Sequence, residues 1–103
     1  MEKIGQPFRV GIWQVKPEKA AEFVAAWQSS ADWLALKLLD EGGAVLLEDL
    51  NDPSRFISFA PVNDPEKVEE VLRSAEFQEL WARVMRLCQD ARPNRMRVVG
   101  AAG

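Results

Sequence analysis

Residues 8–15, FRVGIWQV, constrain the fold more than any other stretch of the chain. They alternate as a strand does, yet both alternating sets are apolar: Phe8, Val10 and Ile12 on one side, Gly11, Trp13 and Val15 on the other. A strand that is greasy on both faces needs cover on both. The period then changes at Lys16-Pro17. Ala20, Val24, Trp27, Ala31, Leu34 and Leu38 follow at steps of four and three, the spacing of one helix face. Pro17 suits a first helical turn, where its missing N–H costs nothing, and Glu18 beside it would complement the helix dipole. The expected helix runs over 17–39, with a weak point at Ser29-Ser30 and a stop at Gly42-Gly43.

A second strand is expected over 44–50 and a third over 55–60. Asn51, Asp52 and Pro53 supply the turn that makes them a hairpin. NDPEKVEEVL opens a second helix, with Asp64 as N-cap and Pro65 in the first turn; Ser74 reads as a new cap where that helix restarts. Phe77, Trp81, Val84 and Cys88 form the apolar stripe of the restarted helix, with Leu80 and Leu87 beside it, and Pro93 ends it. A short strand over 95–99 closes the chain, and residues 100–103 read as a flexible tail. The order is β-α-β-β-α-β, the ferredoxin-like α+β arrangement: an antiparallel four-stranded sheet with two helices on one face. The 103 residues make one domain, with an ordered core over about 8–99. Strand parity assigns Trp13, Val15 and Leu47 to the face without helices. The simplest cover for that face is a second copy of the chain, so a homodimer through the sheet is expected.

Composition narrows the chemistry. Hydrophobic residues make up 48% of the chain, as in globular proteins. A net charge of −3 and a pI near 5.0 argue against nucleic acid as a partner. Arg83, Arg86, Arg92, Arg95 and Arg97 gather late in the chain; they read as a solvated helix face and helix C-terminus, with an anion site as the alternative. No apolar run approaches the roughly 18 residues of a membrane span. The opening MEKIGQPFRV is charged, so no leader peptide is expected, and with a single cysteine the expected location is cytoplasmic. There is no histidine and no tyrosine. The commonest general base and the commonest transition-metal ligand are thereby missing, and with Cys88 alone a structural zinc site is excluded. Glu48, Asp49, Asn51 and Asp52 lack the central glycine and the closing glutamate of a calcium loop and read as a solvated turn.

LEDLNDPSRFISFAPV, followed by SAEFQELWARVMRLCQD and a short last strand, resembles the antibiotic-biosynthesis monooxygenase family of dimeric α+β-barrel proteins. The likeness covers about 8–99. It implies a homodimer built through the sheets and a flat aromatic or polycyclic substrate held between sheet and helices. It also implies oxidation by molecular oxygen without metal, flavin or haem. The substrate, once deprotonated, passes an electron to oxygen, and the protein supplies shape, desolvation and a few polar contacts. A related branch degrades haem with an asparagine on the first strand and a tryptophan and a histidine in the second helical region. Val10, Val71 and Trp81 stand at those positions, so haem degradation is not expected. Quinone-type oxygenases of the family use histidine and tyrosine, which this chain lacks.

The expected pocket is lined by Ile12, Gln14, Trp27, Phe77 and Trp81. Trp27 reads as core or ligand platform. Trp81 stands where a relative places a functional residue, though packing explains it equally well. Trp33 lies off the main stripe, near a pocket mouth. Gln14, by strand parity, points toward the helices and needs a partner, either a substrate carbonyl or a backbone group. Ser58 has no histidine to activate it and is no nucleophile. Two functions compete: cofactor-independent oxidation of an aromatic substrate, and a non-catalytic homodimer that binds an apolar small molecule or nothing.

Overall fold

The computed structural model describes residues 3–103; Met1 and Glu2, within the stretch read above as carrying no leader, lie outside the described residues. Its elements are β1 (Pro7–Val15), α1 (Ala20–Lys37), β2 (Val45–Asp49), β3 (Asp52–Pro61), α2 (Pro65–Leu72), α3 (Ala75–Arg86) and β4 (Cys88–Arg97). The four strands form one antiparallel sheet in the order β2-β3-β1-β4, the ferredoxin-like α+β arrangement, with the second helix in two pieces. The two pieces start as their caps dictate. The Asp64 carboxylate accepts from the Lys67 N–H at 3.2 Å, and the Ser74 hydroxyl from the Phe77 N–H at 3.3 Å. Each cap stabilises its helix by about 1 kcal/mol. No described helix is long and apolar enough to cross a membrane.

Three boundaries differ from the sequence reading. Pro17 does not open α1. The Lys19 N–H donates to the Lys16 carbonyl at 3.1 Å and Glu18 has φ 66°, so residues 16–19 form a tight turn of type II character with Pro17 at its second position. Proline serves that position as well as it serves a helix start, which is why the sequence did not separate the two. Helix α1 then passes Ser29 and Ser30 unbroken, their hydroxyls donating back to the Ala25 and Ala26 carbonyls at 3.1 and 3.2 Å. Its apolar face takes in Ala20 and fully buried Phe23 but not Val24, which is 41% exposed.

The hairpin is tighter than expected, with Leu50-Asn51 as its loop and Asp52 and Pro53 already in β3. Asp49 and Asp52 accept from the N–H groups of Asn51 and Ser54, and Arg55 pairs with Asp49 at 3.6 Å. The last strand is longer than expected. It begins at Cys88, directly after α3, and carries Pro93 on the edge of the sheet, where a missing N–H is tolerated. Arg92, Arg95 and Arg97 therefore stand on a strand and not at a helix end. Cys88 packs against the core from the start of β4, where burial pushes its thiol above the ordinary range against the opposing field of Lys16.

The largest correction concerns the faces of β1. Gly11, Trp13 and Val15 turn toward the helices, and Phe8, Val10, Ile12 and Gln14 turn away. Trp13 and Val15 are 2% and 1% exposed and cluster with Phe23, Trp27, Phe56 and Val84. They are core residues of the single chain and take no part in an outer interface. A second cluster, Leu38, Val62 and Val68 with Leu34, Val71 and Leu72 against it, holds α2 to the end of α1.

Candidate functional site

The two core clusters do not meet. Between them, under α1, α2 and α3 and above β1, β3 and β4, lies a cavity of about 520 Å³. That is within the ordinary range for small-molecule sites, roughly 300–1,000 Å³. Trp13, Trp27 and Trp81 line it from the first cluster, Leu34, Val62, Val68 and Leu72 from the second, and Phe77 of α3 completes the aromatic wall.

The aromatic wall is built by contact between rings. Trp81 stacks on Phe77 at 5.4 Å and 28°, and meets Trp13 edge-on at 5.0 Å and 66°. Trp33, half-buried, lies against the far side of Phe77 at 6.2 Å. Gly11 determines where the Trp13 indole can lie. A Cβ at Gly11 would come within 2.8 Å of both the Trp13 Nε1 and the Ser58 Oγ, so the absent side chain leaves room for the indole to cross β1. Trp13 Nε1 donates to Ser58 Oγ at 3.0 Å, and both groups are buried. This bond gives the buried indole N–H the partner it needs and occupies the hydroxyl of Ser58.

Polar groups enter the cavity at its edges. Ser30 is buried but its hydroxyl is engaged by the Ala26 carbonyl. Gln78 and Asn94 reach the lining from α3 and β4. Arg9, from β1, is a charged group at the sheet floor, with Arg95 of β4 opposite it. Arg9 is half-buried and its Nε has no hydrogen-bond partner. Burial draws its pKa below the ordinary value, against the field of the Glu41 carboxylate. Among the described residues, no three His, Cys, Asp or Glu side chains gather closely enough to hold a metal ion.

Of the residues expected at a pocket, Trp27, Phe77 and Trp81 lie on its wall. Ile12 and Gln14 do not; they belong to the opposite face of the sheet, because the parity of β1 is the reverse of that assumed. Ile12 sits between Ile57 and Arg92, and Gln14 donates to the Ser54 carbonyl at 3.4 Å, a backbone partner. Trp13, expected on the outer face, forms part of the wall instead. Leu47 does lie on the outer face, beside Ile57, and is 51% exposed. The sequence reading missed Arg9, Gly11 and the Trp13–Ser58 bond. Arg9 carried a signal, as the only charged residue in 8–15.

No protein-family model and no curated protein sequence matches the chain. Solved structures do. The cofactor-independent oxygenase SnoaB of Streptomyces nogalater superposes with a TM-score of 0.82 at 14% identity, covering 94% of this chain and 96% of that one. An antibiotic biosynthesis monooxygenase superposes at 0.75 with 16% identity, over 91% and 99% of the two chains. A conserved protein of Methanosarcina mazei Go1 does so at 0.73 with 22% identity, over 92% and 94%. The chain has the fold of the antibiotic biosynthesis monooxygenases.

Proposed function

We propose that the protein is a single-domain, cytoplasmic homodimer that oxidises a small aromatic or polycyclic substrate with molecular oxygen and without a bound cofactor. The observation that carries this reading is the cavity: about 520 Å³, walled by Trp13, Trp27, Phe77 and Trp81, in a fold shared with a cofactor-independent oxygenase. A flat ring system would lie against the indoles, shielded from water. In such a site a substrate acidic enough to ionise holds its charge next to Arg9 and passes an electron to oxygen. The chain's own part is shape, desolvation and electrostatic support; no side chain is assigned as a general base.

Oxygen uptake with an anthrone-type compound tests the activity. Consumption of oxygen that depends on the protein and survives exhaustive chelation is the expected result. Absence of turnover over a varied panel of such compounds would leave the second reading, a homodimer that binds its ligand without transforming it. The absence of histidine and tyrosine from the sequence favours that second reading, since both provide proton-transfer groups.

A further inference from the structure

The β1–β4 register sets Arg9 directly opposite Arg95. Directly opposed residues on antiparallel strands share a face and bring their Cβ atoms within about 5.5 Å, and like charges so placed repel. Both arginines line the cavity. Neither has a carboxylate within salt-bridge distance among the described residues, where the ion pairs are Lys19–Glu22, Arg55–Asp49 and Arg92–Asp90. The acids nearby make no direct ion pair with either; Glu41 acts on Arg9 only through its field. The Glu41 carboxylate accepts from the N–H groups of Asn63 and Asp64 with both its oxygens, at 2.8–3.2 Å. Glu69 shares the cavity lining from α2 but is exposed and bridges neither arginine. Arg9 Nε is buried without a partner, although a buried guanidinium N–H is ordinarily hydrogen-bonded. Two cations on adjacent strands, one with an unmet donor, at the edge of an aromatic chamber, make a cradle for an anion.

We propose that the ligand of this cavity is an aromatic acid, its rings against the tryptophan wall and its anionic oxygens between Arg9 and Arg95. This deepens the reading of the cavity as a substrate site and rests on it. Charge-assisted hydrogen bonds to a guanidinium are the strong ones, and the planar fork matches a carboxylate.

Two probes with one ring system separate charge from shape: 9-anthracenecarboxylate and the uncharged 9-anthracenemethanol, followed by quenching of tryptophan emission at pH 7. The carboxylate is expected to bind about tenfold more tightly or better, which corresponds to about 1.4 kcal/mol. Arg9→Met and Arg95→Met should each remove most of that preference and leave the affinity for the alcohol unchanged. The preference should also shrink as salt rises. Equal affinity for the two probes in the unaltered protein overturns the anion cradle while leaving an aromatic cavity. So does a loss of both probes in equal measure in the variants, since it marks the arginines as packing alone. Failure of both probes to quench removes the cavity reading itself, and the cradle with it. Arg95 is exposed, so Arg95→Met tests the cradle even if Arg9→Met does not fold.

Discussion

Glu18 holds a backbone angle that L-residues avoid. At φ 66° its Cβ crowds the following carbonyl, at a cost of roughly 1–2 kcal/mol, partly offset in glycine by the greater entropy of the unfolded chain. Glu18→Gly is expected to raise stability by about 0.5–1 kcal/mol, seen as a higher urea midpoint with an unchanged slope; an unchanged or lower midpoint would show that the turn stores no strain. Glu41 is the opposite case. Only 5% exposed, it holds the β3–α2 connection by accepting from two backbone N–H groups, while its own carbonyl accepts from the Asn63 side-chain amide at 3.2 Å. Glu41→Ala would strand those donors and cost about 2–3 kcal/mol, with Glu41→Gln losing less because an acceptor remains. Thermal unfolding of the two variants measures the order, and equal melting temperatures for Glu41→Ala and the unaltered chain would contradict it. Neither residue announces its role in the sequence. Glu18 looks like a helix-start acid, and Glu41, next to Gly42-Gly43, looks like part of a solvated loop.

Among the elements, β1 carries the site and was also the hardest to orient. Gly11→Ala puts a methyl within 2.8 Å of the Trp13 indole and the Ser58 hydroxyl, neither of which is a free side-chain end. The expected loss is about 1–3 kcal/mol, together with weaker quenching by the anthracene probes as Trp13 is displaced. Unchanged stability and unchanged quenching would mean that the indole relaxes without penalty. The order of elements was legible because local chemistry fixed it: the caps at Asp64 and Ser74, the apolar alternation of β1, the turn chemistry around Asn51. The facing of β1 was not. Alternation specifies a face only when one set is polar, and here a shift of one residue exchanges two apolar sets. That single ambiguity moved Ile12 and Gln14 out of the pocket and Trp13 and Val15 into the interior, while the helical residues Trp27, Phe77 and Trp81 were unaffected by it. The boundary of α3 failed for a related reason. Leu87 and Cys88 continue its apolar stripe in the sequence, but they meet the same core from the C-cap of α3 and the first residue of β4.

At the scale of the whole molecule, the outer face of the sheet is the feature a lone chain leaves unexplained. Val45, Leu47 and Met96 are 41%, 51% and 48% exposed, and they border Phe59, Ile57 and Phe8 in the strand register. Phe8 and Phe59 meet edge-on at 6.2 Å on that same face. The molecule is a slab of 37 × 34 × 18 Å. It exposes 6997 Å², about a fifth more than the roughly 5,800 Å² usual for a compact monomer of this mass. Helices cover one side of the slab, and the apolar side is complementary in character to a second copy of itself, as the homodimer proposed above requires. The row Leu47–Ile57–Ile12 crosses three strands and would lie within such an interface. In sedimentation equilibrium at micromolar concentration the protein is expected at twice its chain mass of 11.6 kDa. Leu47→Glu with Ile57→Glu should return it to the single-chain mass. Its far-ultraviolet circular dichroism should stay intact, because neither side chain belongs to the helix-side clusters. A single-chain mass for the unaltered protein would rule out the dimer. The anthracene probes then decide whether the cavity depends on it: with its walls formed by the sheet and helices of one chain, it should bind them equally well in the monomeric variant.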